Sequence, residues 1–514
     1  MARAVGRPED QLDTMMRDLV IGIDASTTAV KAIAFARDGS PVCEKRATYP
    51  LSKPAPGYFE QDPEDWWTAL STATRELAAA VGPHRIAALA IGHQRETFAL
   101  LDEEGRALRP AILWIDERSR PQVAALSARV GRDRLRQISG KPPDPTPALF
   151  AIEWLRQNEP DRLAAAFAVA DVHAFLSWRL TGERVSSLSS ADPLGLVDLE
   201  RGVWSDELVS LVGLRPDQLP RIAQPGTVVG ELTAEAAAQT GLDAGLPLVA
   251  GGGDGQLAGL GAGALDEGSA YLALGTSIVS GMVSDRYCTS DAYRTLSSPT
   301  GVGFMAETVI RSGMTLVDWA ARLVRGNADP ETLAELATLA TAVPPGSEGI
   351  MVVPYWAGMM NPDWDDAARG IIVGLMLSHR PEHLFRAVME GIAFEQSLST
   401  AALEESIGRR AERFVVSGGG TRSPLLMAIM AAALERPLVT SAVPEAVALG
   451  SGILAAVASG WHPDIATAMA EMIAPSTRTT RPDPSLSAIY RGRIPVYREL
   501  FPANRLALHR LKAV

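Results

Sequence analysis

A single carboxylate among glycines is the residue of this 514-residue sequence best suited to chemistry. Asp254 lies within the segment Gly251–Gln256, directly after the apolar run Leu246–Ala250. Glycine has no Cβ, so such a loop allows a ligand to approach the backbone and presents one side chain to a confined site. An unpaired carboxylate there suits a general base that removes a proton from a substrate hydroxyl. The alternative is a turn in which Asp254 caps a helix.

Three further loops of small residues each follow an apolar strand. They contain Ser26, Thr27 and Thr28 in the first, Gly275, Thr276 and Ser277 in the second, and Gly418, Gly419 and Gly420 in the third. Turns of this kind direct N–H groups and hydroxyls outward, and such nests bind phosphate oxygens. No G-x-x-x-x-G-K-[ST] phosphate loop and no protein-kinase H-R-D or D-F-G set occurs. Together with Asp254, the three loops indicate phosphoryl transfer from a nucleotide in a cleft between two halves.

A second carboxylate is a candidate for the metal side of that reaction. Asp24 ends the first apolar strand beside Thr27 and Thr28, where a metal ion would help to spread phosphate charge. A hairpin Asx-turn is the alternative. Lys31, on the returning strand, is interpreted as a solvated or packing lysine.

Polar and aromatic residues after two other strands suit a polyol. Gln94, Arg95 and Glu96 offer adjacent donors and acceptors for hydroxyl groups, with a surface salt-bridged loop as the alternative. Trp114 could give a sugar a flat apolar face, and Asp116 a further acceptor, although tryptophan more often belongs to a core. Three of the seven histidines, His93, His173 and His379, lack metal-ligand spacing and are interpreted as structural.

Composition excludes several classes of partner. The net charge of −12 argues against nucleic acid or an anionic membrane as the main partner. Two cysteines, Cys43 and Cys288, are too few for a disulfide framework and fit a reducing cytoplasm. The apolar runs are too short to span a bilayer. Residues 1–18 mix both charges and predict a flexible N-terminal extension, not a signal peptide.

The elements that position these residues alternate between strand and helix, which predicts an α/β protein with two large domains. Residues 19–23 and 30–35 predict one hairpin, and residues 270–274 and 278–283 predict another. Two such hairpins with Thr- and Ser-rich tips suggest an internal duplication.

Other segments have the periodicity or boundary residues of single strands and helices. Strands are predicted at 86–91, 98–101 and 414–417, and helices at 63–80, 424–434 and 445–459. Asp62 is the predicted N-cap of the first of these helices. Residues 384–392 predict one buried helical face.

These residues resemble the FGGY family of carbohydrate kinases over nearly the whole chain from residue 19 to about 460. Residues 22–28 resemble the first phosphate motif, 57–67 the segment that follows it, and 251–256 the loop of the catalytic aspartate. Residues 275–277 are similar to the second phosphate motif, and 417–423 to the adenosine motif. Residues 368–390 satisfy the second family signature position by position.

The resemblance implies two ribonuclease H-like (actin-like ATPase) domains flanking an interdomain cleft. A sugar-binding domain would span 19–263 and an ATP-binding domain 264–514. Asp254 would be the general base, Gln256 would contact substrate, Ser423 would contact ATP, and Mg²⁺ near Asp24 would bridge the phosphates. The implied partner is a small sugar or polyol, in a cytoplasmic enzyme that could be a homodimer.

The resemblance leaves the substrate open. The overall spacing is most similar to xylulose kinases, so a ketopentose such as xylulose is the first expectation. Gln94–Thr97 is instead similar to glycerol kinases, which makes a polyol such as glycerol the second. A catalytically silent sugar or nucleotide sensor on the same fold, and an actin-like ATPase, are the further alternatives.

Overall fold

The computed structural model describes residues 17–476 and 478–512, and these residues fold as two compact units. Unit 1 spans the chain up to Gly263 together with Leu296–Phe304 and Glu445–Ala474. Unit 2 spans Ala264–Thr295, Met305–Pro444 and the residues from Pro475 onward. Of the predicted N-terminal extension, residues 1–16 lie outside the described residues.

Strands and helices alternate along both units, as the α/β prediction requires. The strands are β1 (Leu19–Ala25), β2 (Ala29–Phe35), β3 (Pro41–Thr48), β4 (Glu60–Gln61), β5 (Ile86–His93), β6 (Phe98–Leu101), β7 (Ala111–Ile112), β8 (Ala168–Asp171), β9 (Val185–Ser187), β10 (Val197–Asp198), β11 (Val203–Trp204), β12 (Arg221–Ala223), β13 (Val228–Glu231), β14 (Pro247–Gly253), β15 (Ser269–Leu274), β16 (Ile278–Ser284), β17 (Arg294–Ser297), β18 (Phe304–Ile310), β19 (Met351–Val353), β20 (Ile371–Val373), β21 (Arg413–Ser417), β22 (Leu438–Thr440) and β23 (Thr479–Thr480). The α-helices are α1 (Pro63–Val81), α2 (Arg120–Val130), α3 (Arg132–Ser139), α4 (Ala148–Asn158), α5 (Pro160–Ala165), α6 (Val172–Thr181), α7 (Leu188–Ala191), α8 (Asp206–Leu211), α9 (Ala234–Thr240), α10 (Asp254–Gly261), α11 (Met314–Arg325), α12 (Pro330–Ala342), α13 (Pro381–Ile407), α14 (Pro424–Leu434), α15 (Ala446–Ala458), α16 (Ile465–Met472) and α17 (Pro484–Lys512). Short 3₁₀ turns occur at Pro83–Arg85, Asp192–Leu194, Pro216–Gln218, Ser347–Gly349 and Gly419–Arg422.

The main sheet of unit 1 has the strand order β13-β14-β5-β1-β2-β3. The predicted hairpin is confirmed, because β1 and β2 are antiparallel with Ala25 opposite Val30. Strands β1, β5 and β14 run parallel, with Ala25 and Gly253 both paired to His93. The carboxyl ends of three parallel strands therefore meet at one edge of the sheet, where the loops of Asp24, Gln94 and Asp254 begin.

The main sheet of unit 2 has the order β17-β18-β16-β15-β21-β22-β23. The second predicted hairpin is also confirmed, because β15 and β16 are antiparallel with Leu274 opposite Ile278. Strand β21 runs parallel to β15, with Ser417 opposite Ala273. The two sheets have corresponding strand orders, with the hairpin β1–β2 of unit 1 matching the hairpin β15–β16 of unit 2. On one side of the hairpin lie β3 and β18, and on the other side lie β5–β14 and β21–β22. This correspondence is expected for an internal duplication.

Helix α15 packs on the main sheet of unit 1, although it follows most of unit 2 in the sequence. Glycines make this contact possible. A Cβ on Gly22 of β1 would lie 1.9 Å from the Ala448 carbonyl oxygen, and one on Gly261 would lie 1.9 Å from the Ala446 oxygen. The backbone of α15 therefore packs directly against β1 at Gly22 and against α10 at Gly261.

Most of the predicted single elements are found close to their expected bounds. Helix α1 begins at Pro63, and the Asp62 side chain accepts a hydrogen bond from the Glu64 N–H at 3.0 Å, which confirms the predicted N-cap. Helix α14 spans the predicted residues, and β5, β6 and β21 match the predicted strands.

The prediction of one buried face on residues 384–392 was too narrow. Helix α13 is buried nearly all around over this stretch, including the charged residues Arg386 and Glu390. Their ion pair, at 2.8 Å, and a hydrogen bond from the Tyr490 hydroxyl to Glu390 at 2.8 Å make that burial possible. Among the described residues, no helix combines the length and apolar character needed to cross a bilayer.

Candidate active site

Asp254 is the first residue of helix α10, at the end of β14. Its Oδ1 accepts a hydrogen bond from the Gly255 N–H at 2.8 Å, while the N-cap position itself is Gly253. The helix-capping alternative therefore does not describe this residue. The side chain is 40% exposed, so a ligand can reach the carboxylate.

Arg95 lies across the glycines that flank Asp254. Its Nε is 3.2 Å from Asp254 Oδ1, and the arginine side chain is 8% exposed. A Cβ on Gly253 would be 2.4 Å from Arg95 Cγ, and one on Gly255 would be 2.8 Å from Arg95 Cζ. The glycines thus make room for an arginine, whereas the sequence suggested room for a ligand.

The loop that carries Arg95 is buried, so the alternative of a surface salt-bridged loop is wrong. Gln94, Arg95 and Glu96 are at most 8% exposed. Glu96 has a φ of 60°, a left-handed conformation that is uncommon for a residue other than glycine. The Thr97 N–H donates to the Arg95 carbonyl at 2.7 Å across this turn. Strained backbone of this kind clusters at functional sites.

Trp114 is 38% exposed and is not a core residue. Its indole Nε1 donates to the Thr27 hydroxyl at 3.1 Å, which joins the first small-residue loop to the segment after β7. Asp116, in contrast, accepts from the Phe59 N–H at 2.7 Å and forms an ion pair with Arg118 at 2.8 Å. Its oxygens are used within the fold, so it positions the segment of Trp114.

The environment of the Asp24 carboxylate suits the binding of a cation. Its Oδ1 is shielded from solvent and has no hydrogen-bond partner in the described residues, so this oxygen forms no Asx-turn. Burial, and then the negative charge of Asp254, raise the pKa of Asp24 to about 7. A divalent cation would relieve both effects.

The protein does not build a complete metal cage around Asp24. In residues 17–476 and 478–512, His, Cys, Asp and Glu form no group of three or more that could hold a metal ion. Mg²⁺ is commonly bound by one or two carboxylates, substrate phosphates and water. A single orphaned carboxylate oxygen beside hydroxyl residues fits that mode of binding.

Lys31 is neither solvated nor simply packed, which corrects the sequence interpretation. Its Nζ lies 2.5 Å from Glu445 Oε2, and both side chains are partly buried. Both charges also act on Asp24, because Lys31 lowers its pKa and Glu445 raises it. The partners are 414 positions apart in sequence, so no local pattern could have indicated the pair.

Gln61 connects the loops of the site and was missed as a functional candidate. Its Nε2 donates to the Thr27 carbonyl at 2.6 Å. Its Oε1 accepts from Gln94 Nε2 at 3.0 Å and from Trp66 Nε1 at 2.9 Å. Gln61 is 2% exposed, so these bonds fix the amide of Gln94 from behind. The available signal was a glutamine directly before the N-cap of α1.

Gln94 and Gln256 lie behind the accessible surface of the site. Both are fully buried, and each has an amide oxygen without a hydrogen-bond partner among the described residues. Gln256 Nε2 donates to the Ser189 carbonyl at 3.1 Å, which fixes its orientation. Arg95 contacts Asp254 directly, whereas neither glutamine side chain is exposed to solvent.

Two buried histidines support the strand that ends at Asp254. His173 Nε2 accepts from the Gly251 N–H at 3.2 Å. Burial lowers the pKa of His173 to about 4 and also lowers the pKa of His93, so both rings are neutral near pH 7. His93 Nδ1 lies 2.7 Å from the Gln94 carbonyl oxygen.

The second predicted phosphate loop connects β15 and β16 in unit 2. The Gly313 N–H donates to the Thr276 carbonyl, and the Met314 N–H to the Gly275 carbonyl, both at 2.9 Å. The carbonyls of the turn are therefore engaged within the fold. The N–H groups and hydroxyls of Thr276 and Ser277 are the groups suited to phosphate oxygens.

The third loop lies beside the second at the ends of parallel strands. Gly418 has a φ of 88°, and a Cβ there would be 2.6 Å from the Leu274 carbonyl oxygen, so glycine is required. Gly418 and Gly419 are exposed and Gly420 is buried. Ser423 accepts from the Leu426 N–H at 3.3 Å as the N-cap of α14, which engages the hydroxyl predicted to contact ATP.

Family comparisons cover most of the chain. Residues 19–261 match the N-terminal domain of the FGGY family of carbohydrate kinases, and residues 270–459 match its C-terminal domain. The chain belongs to the FGGY family of carbohydrate kinases. The resemblance inferred from the sequence motifs is thereby confirmed, as is the two-domain α/β fold.

Individual FGGY relatives carry different substrate names. The chain is 29% identical to the xylulose kinase of Escherichia coli (strain K12), over 94% of this chain and 98% of that protein. It is 30% identical to the glycerol kinase of Symbiobacterium thermophilum, over 87% and 91%. The crystal structure of xylulose kinase from Rhodospirillum rubrum superimposes with a TM-score of 0.90 at 29% identity, covering 96% of this chain and 100% of that one.

Proposed function

We propose that this FGGY carbohydrate kinase transfers a phosphoryl group from Mg-ATP to a hydroxyl of a ketopentose such as xylulose. The observation that carries the proposal is the gathering of Asp24, Arg95 and Asp254 at the carboxyl ends of three parallel strands. The similarity to xylulose kinases over nearly the whole chain supports the ketopentose.

Asp254 is the proposed general base. Its carboxylate is accessible, and Arg95 orients Oδ1, so the carboxylate can accept the proton of a sugar hydroxyl as that oxygen attacks phosphorus. Trp114 supplies an exposed apolar face for the sugar carbons, and Arg95 and Glu96 supply polar groups. Gln94 and Gln256 lie behind these residues, and each amide is fixed by a hydrogen bond.

The small-residue loops are the proposed nucleotide site. Thr276 and Ser277 offer N–H groups and hydroxyls to phosphate oxygens, while the Gly275 N–H donates to the Ser277 carbonyl at 3.2 Å within the turn. Gly418–Gly420 permit close approach of ATP to the backbone. In unit 1, Thr27 and Thr28 would offer the same kind of groups, whereas the N–H group and the hydroxyl of Ser26 both donate to the Ala29 carbonyl at 3.0 Å. Asp24 would hold Mg²⁺, which supplies charge neutralisation at the phosphates.

The Asp254→Asn variant tests the base. Asparagine keeps the shape and cannot accept the proton, so kcat should fall by about 10²–10⁴ with an unchanged melting temperature. Asp243→Asn is the matched control, because Asp243 precedes the opposite end of β14. Sugar-dependent ADP release shows the difference; full turnover by Asp254→Asn would exclude the mechanism.

A glycerol-like polyol kinase is the second candidate, favoured by Gln94–Thr97 and by the similarity to a glycerol kinase. A panel of xylulose, other ketopentoses, glycerol, longer polyols and gluconate, compared by kcat/KM, separates the two. The highest value for glycerol would replace the ketopentose. If no compound of the panel is phosphorylated but ligand binding is measurable, the result would favour a catalytically silent sensor. Strong ATP hydrolysis without added sugar would favour an actin-like ATPase.

A further inference from the structure

The last turns of helix α17 are bound to the segment that connects β19 and β20 in unit 2. His509 Nε2 lies 2.7 Å from Asp365 Oδ2, and Arg505 Nε lies 3.0 Å from the same oxygen. Arg505 Nη1 also lies 3.1 Å from Asp363 Oδ2. The Asp365 side chain is 6% exposed, so two basic groups converge on one nearly buried carboxylate. Both basic residues lie beyond residues 270–459, the stretch that matches the C-terminal FGGY domain.

Asp365 also organises the backbone of this connecting segment. Its Oδ1 accepts from the Ala367 N–H at 2.9 Å, and its carbonyl accepts from the Met359 N–H at 3.0 Å. Trp364, directly before it, has a φ of 51°, a left-handed conformation that is uncommon for a residue other than glycine. Backbone of this kind persists where the surrounding contacts hold it. The ion pairs with α17 are contacts of that kind, because they fix the residue that follows Trp364.

The next residue, Asp366, connects this arrangement to the start of α11. Asp366 Oδ1 lies 2.9 Å from Arg311 Nη1. Nearby, the Ala357 N–H donates to the Ser312 hydroxyl at 3.1 Å. The connecting segment is therefore bound at two points to the residues that directly precede Gly313.

Gly313 in turn supports the second phosphate loop. A Cβ on Gly313 would lie 2.7 Å from the Ser277 carbonyl carbon and 2.8 Å from the Gly275 carbonyl oxygen, so the two backbones are in direct contact. The Thr276 carbonyl accepts from the Gly313 N–H at 2.9 Å and from the Thr315 hydroxyl at 3.1 Å. Because packed interiors transmit displacements, a shift at Gly313 would move the loop.

We propose that Arg505 and His509 are positioning residues for this loop and thereby set the affinity of the protein for a nucleotide. Their pairs with Asp365 fix Asp366, which holds Arg311 and the backbone on which the loop rests. The inference rests on the proposed nucleotide site, in which the loop contacts phosphate oxygens. Without the pairs the loop samples further conformations, and a ligand that requires one conformation binds more weakly as the population of that conformation falls.

Titration of the full chain with ADP tests this role without any turnover. Arg505→Ala/His509→Ala should raise the Kd for ADP about threefold to tenfold, the usual size of coupling between separated sites. Its melting temperature should be nearly unchanged, because exposed ion pairs add little stability. Arg491→Ala/Arg498→Ala is the matched control, since it removes two basic residues from an earlier part of α17, where Arg491 pairs with Glu435. This control should bind ADP as the wild-type protein does, and KM for the sugar should be the same in all three proteins.

Conservative replacements and a double-mutant cycle distinguish positioning from a general effect on stability. Arg505→Lys/His509→Gln keeps a donor at each position and should restore most of the affinity for ADP. Asp365→Asn should also weaken binding, and its effect should not add to that of the double alanine variant, because both act through one contact. Additive effects, or wild-type affinity in Arg505→Ala/His509→Ala, would overturn the positioning role. A wild-type protein that fails to bind ADP would contradict the nucleotide site itself and, with it, this inference.

Discussion

Arg95 acts on the Asp254 carboxylate through its charge and also packs on the loop that carries it. The guanidinium faces the carboxylate at 3.2 Å, and the aliphatic stem of Arg95 covers the glycines on either side of it. Arginine has a planar group with donors in fixed directions, which lysine lacks. The orientation of Asp254 therefore depends on the shape of the arginine as well as on its charge.

Replacement of Arg95 should separate these contributions. We expect kcat/KM for the sugar to fall at least about tenfold in Arg95→Lys, which keeps the charge but loses the fixed donors, and further in Arg95→Met. Arg106→Met is the control, because Arg106 is exposed and pairs with Asp102. Initial rates over a range of sugar concentrations check this; lysine equal to wild type would show that charge alone is sufficient.

A candidate site residue could be predicted where the residues that mark it are its neighbours in the sequence. Asp254 stands out because glycines surround it, and Gln94–Glu96 stand out because adjacent donors and acceptors suited to hydroxyl groups directly follow a strand. The Lys31–Glu445 pair could not be predicted, because 414 positions separate its members. The role of Gln61 depends on three partners from separate segments, which only the folded chain brings together.

At the scale of elements, parallel strands decide where the loops meet. Hairpins were predictable from apolar runs around short polar turns, and the same alternation predicted the α/β class. The sequence could not show that glycine at position 418 is imposed by the neighbouring strand. Its backbone touches the Leu274 carbonyl at the end of β15, directly before the second phosphate loop.

Gly418→Ala should therefore damage both stability and nucleotide binding. Gly408→Ala is a matched control, because Gly408 also has a positive φ, 74°, but has open space around its Cα. We expect a loss of about 1 kcal/mol for Gly408→Ala and at least about 2 kcal/mol for Gly418→Ala. Urea unfolding measures the difference, and ATP titration should show weaker binding only for Gly418→Ala.

The support of β14 by His173 predicts a dependence of stability on pH. Its folded pKa of about 4 lies below the ordinary value of 6.5, because burial disfavours the charged ring. Between these values the unfolded chain binds the proton more readily, so stability is lost as the pH falls from 6.5 towards 4. His173→Gln should reduce the loss of stability between pH 7.5 and pH 5 by about 2 kcal/mol. Urea unfolding at pH 7.5 and pH 5 measures it; an unchanged difference would contradict a neutral His173.

At the scale of the molecule, the core of unit 2 depends on a helix beyond the family match. Helix α17 begins at Pro484, whereas the match ends at residue 459. Tyr490, Tyr497 and Phe501 of this helix are buried in the unit 2 core. The Tyr497 hydroxyl donates to Glu395 at 2.6 Å, and the Tyr355 hydroxyl donates to the same carboxyl group at 3.0 Å.

Tyr497→Phe should leave one oxygen of Glu395 buried without a donor. Burial already raises the pKa of Glu395, and loss of the hydrogen bond should cost about 1–3 kcal/mol in the free energy of unfolding. Arg498→Ala, at the exposed neighbouring position, is the control. Equal stability of the two variants would show that the tyrosine acts only through its ring.

The return of α15 to unit 1 has a consequence for biosynthesis. Ribosomes deliver the amino-terminal half first, and such halves commonly fold before the rest emerges. Here β1 cannot acquire its covering backbone at Gly22 until Ala448 has left the exit tunnel. Nascent chains arrested near position 300 should remain sensitive to protease across their first sheet, and become resistant once translation has passed α15.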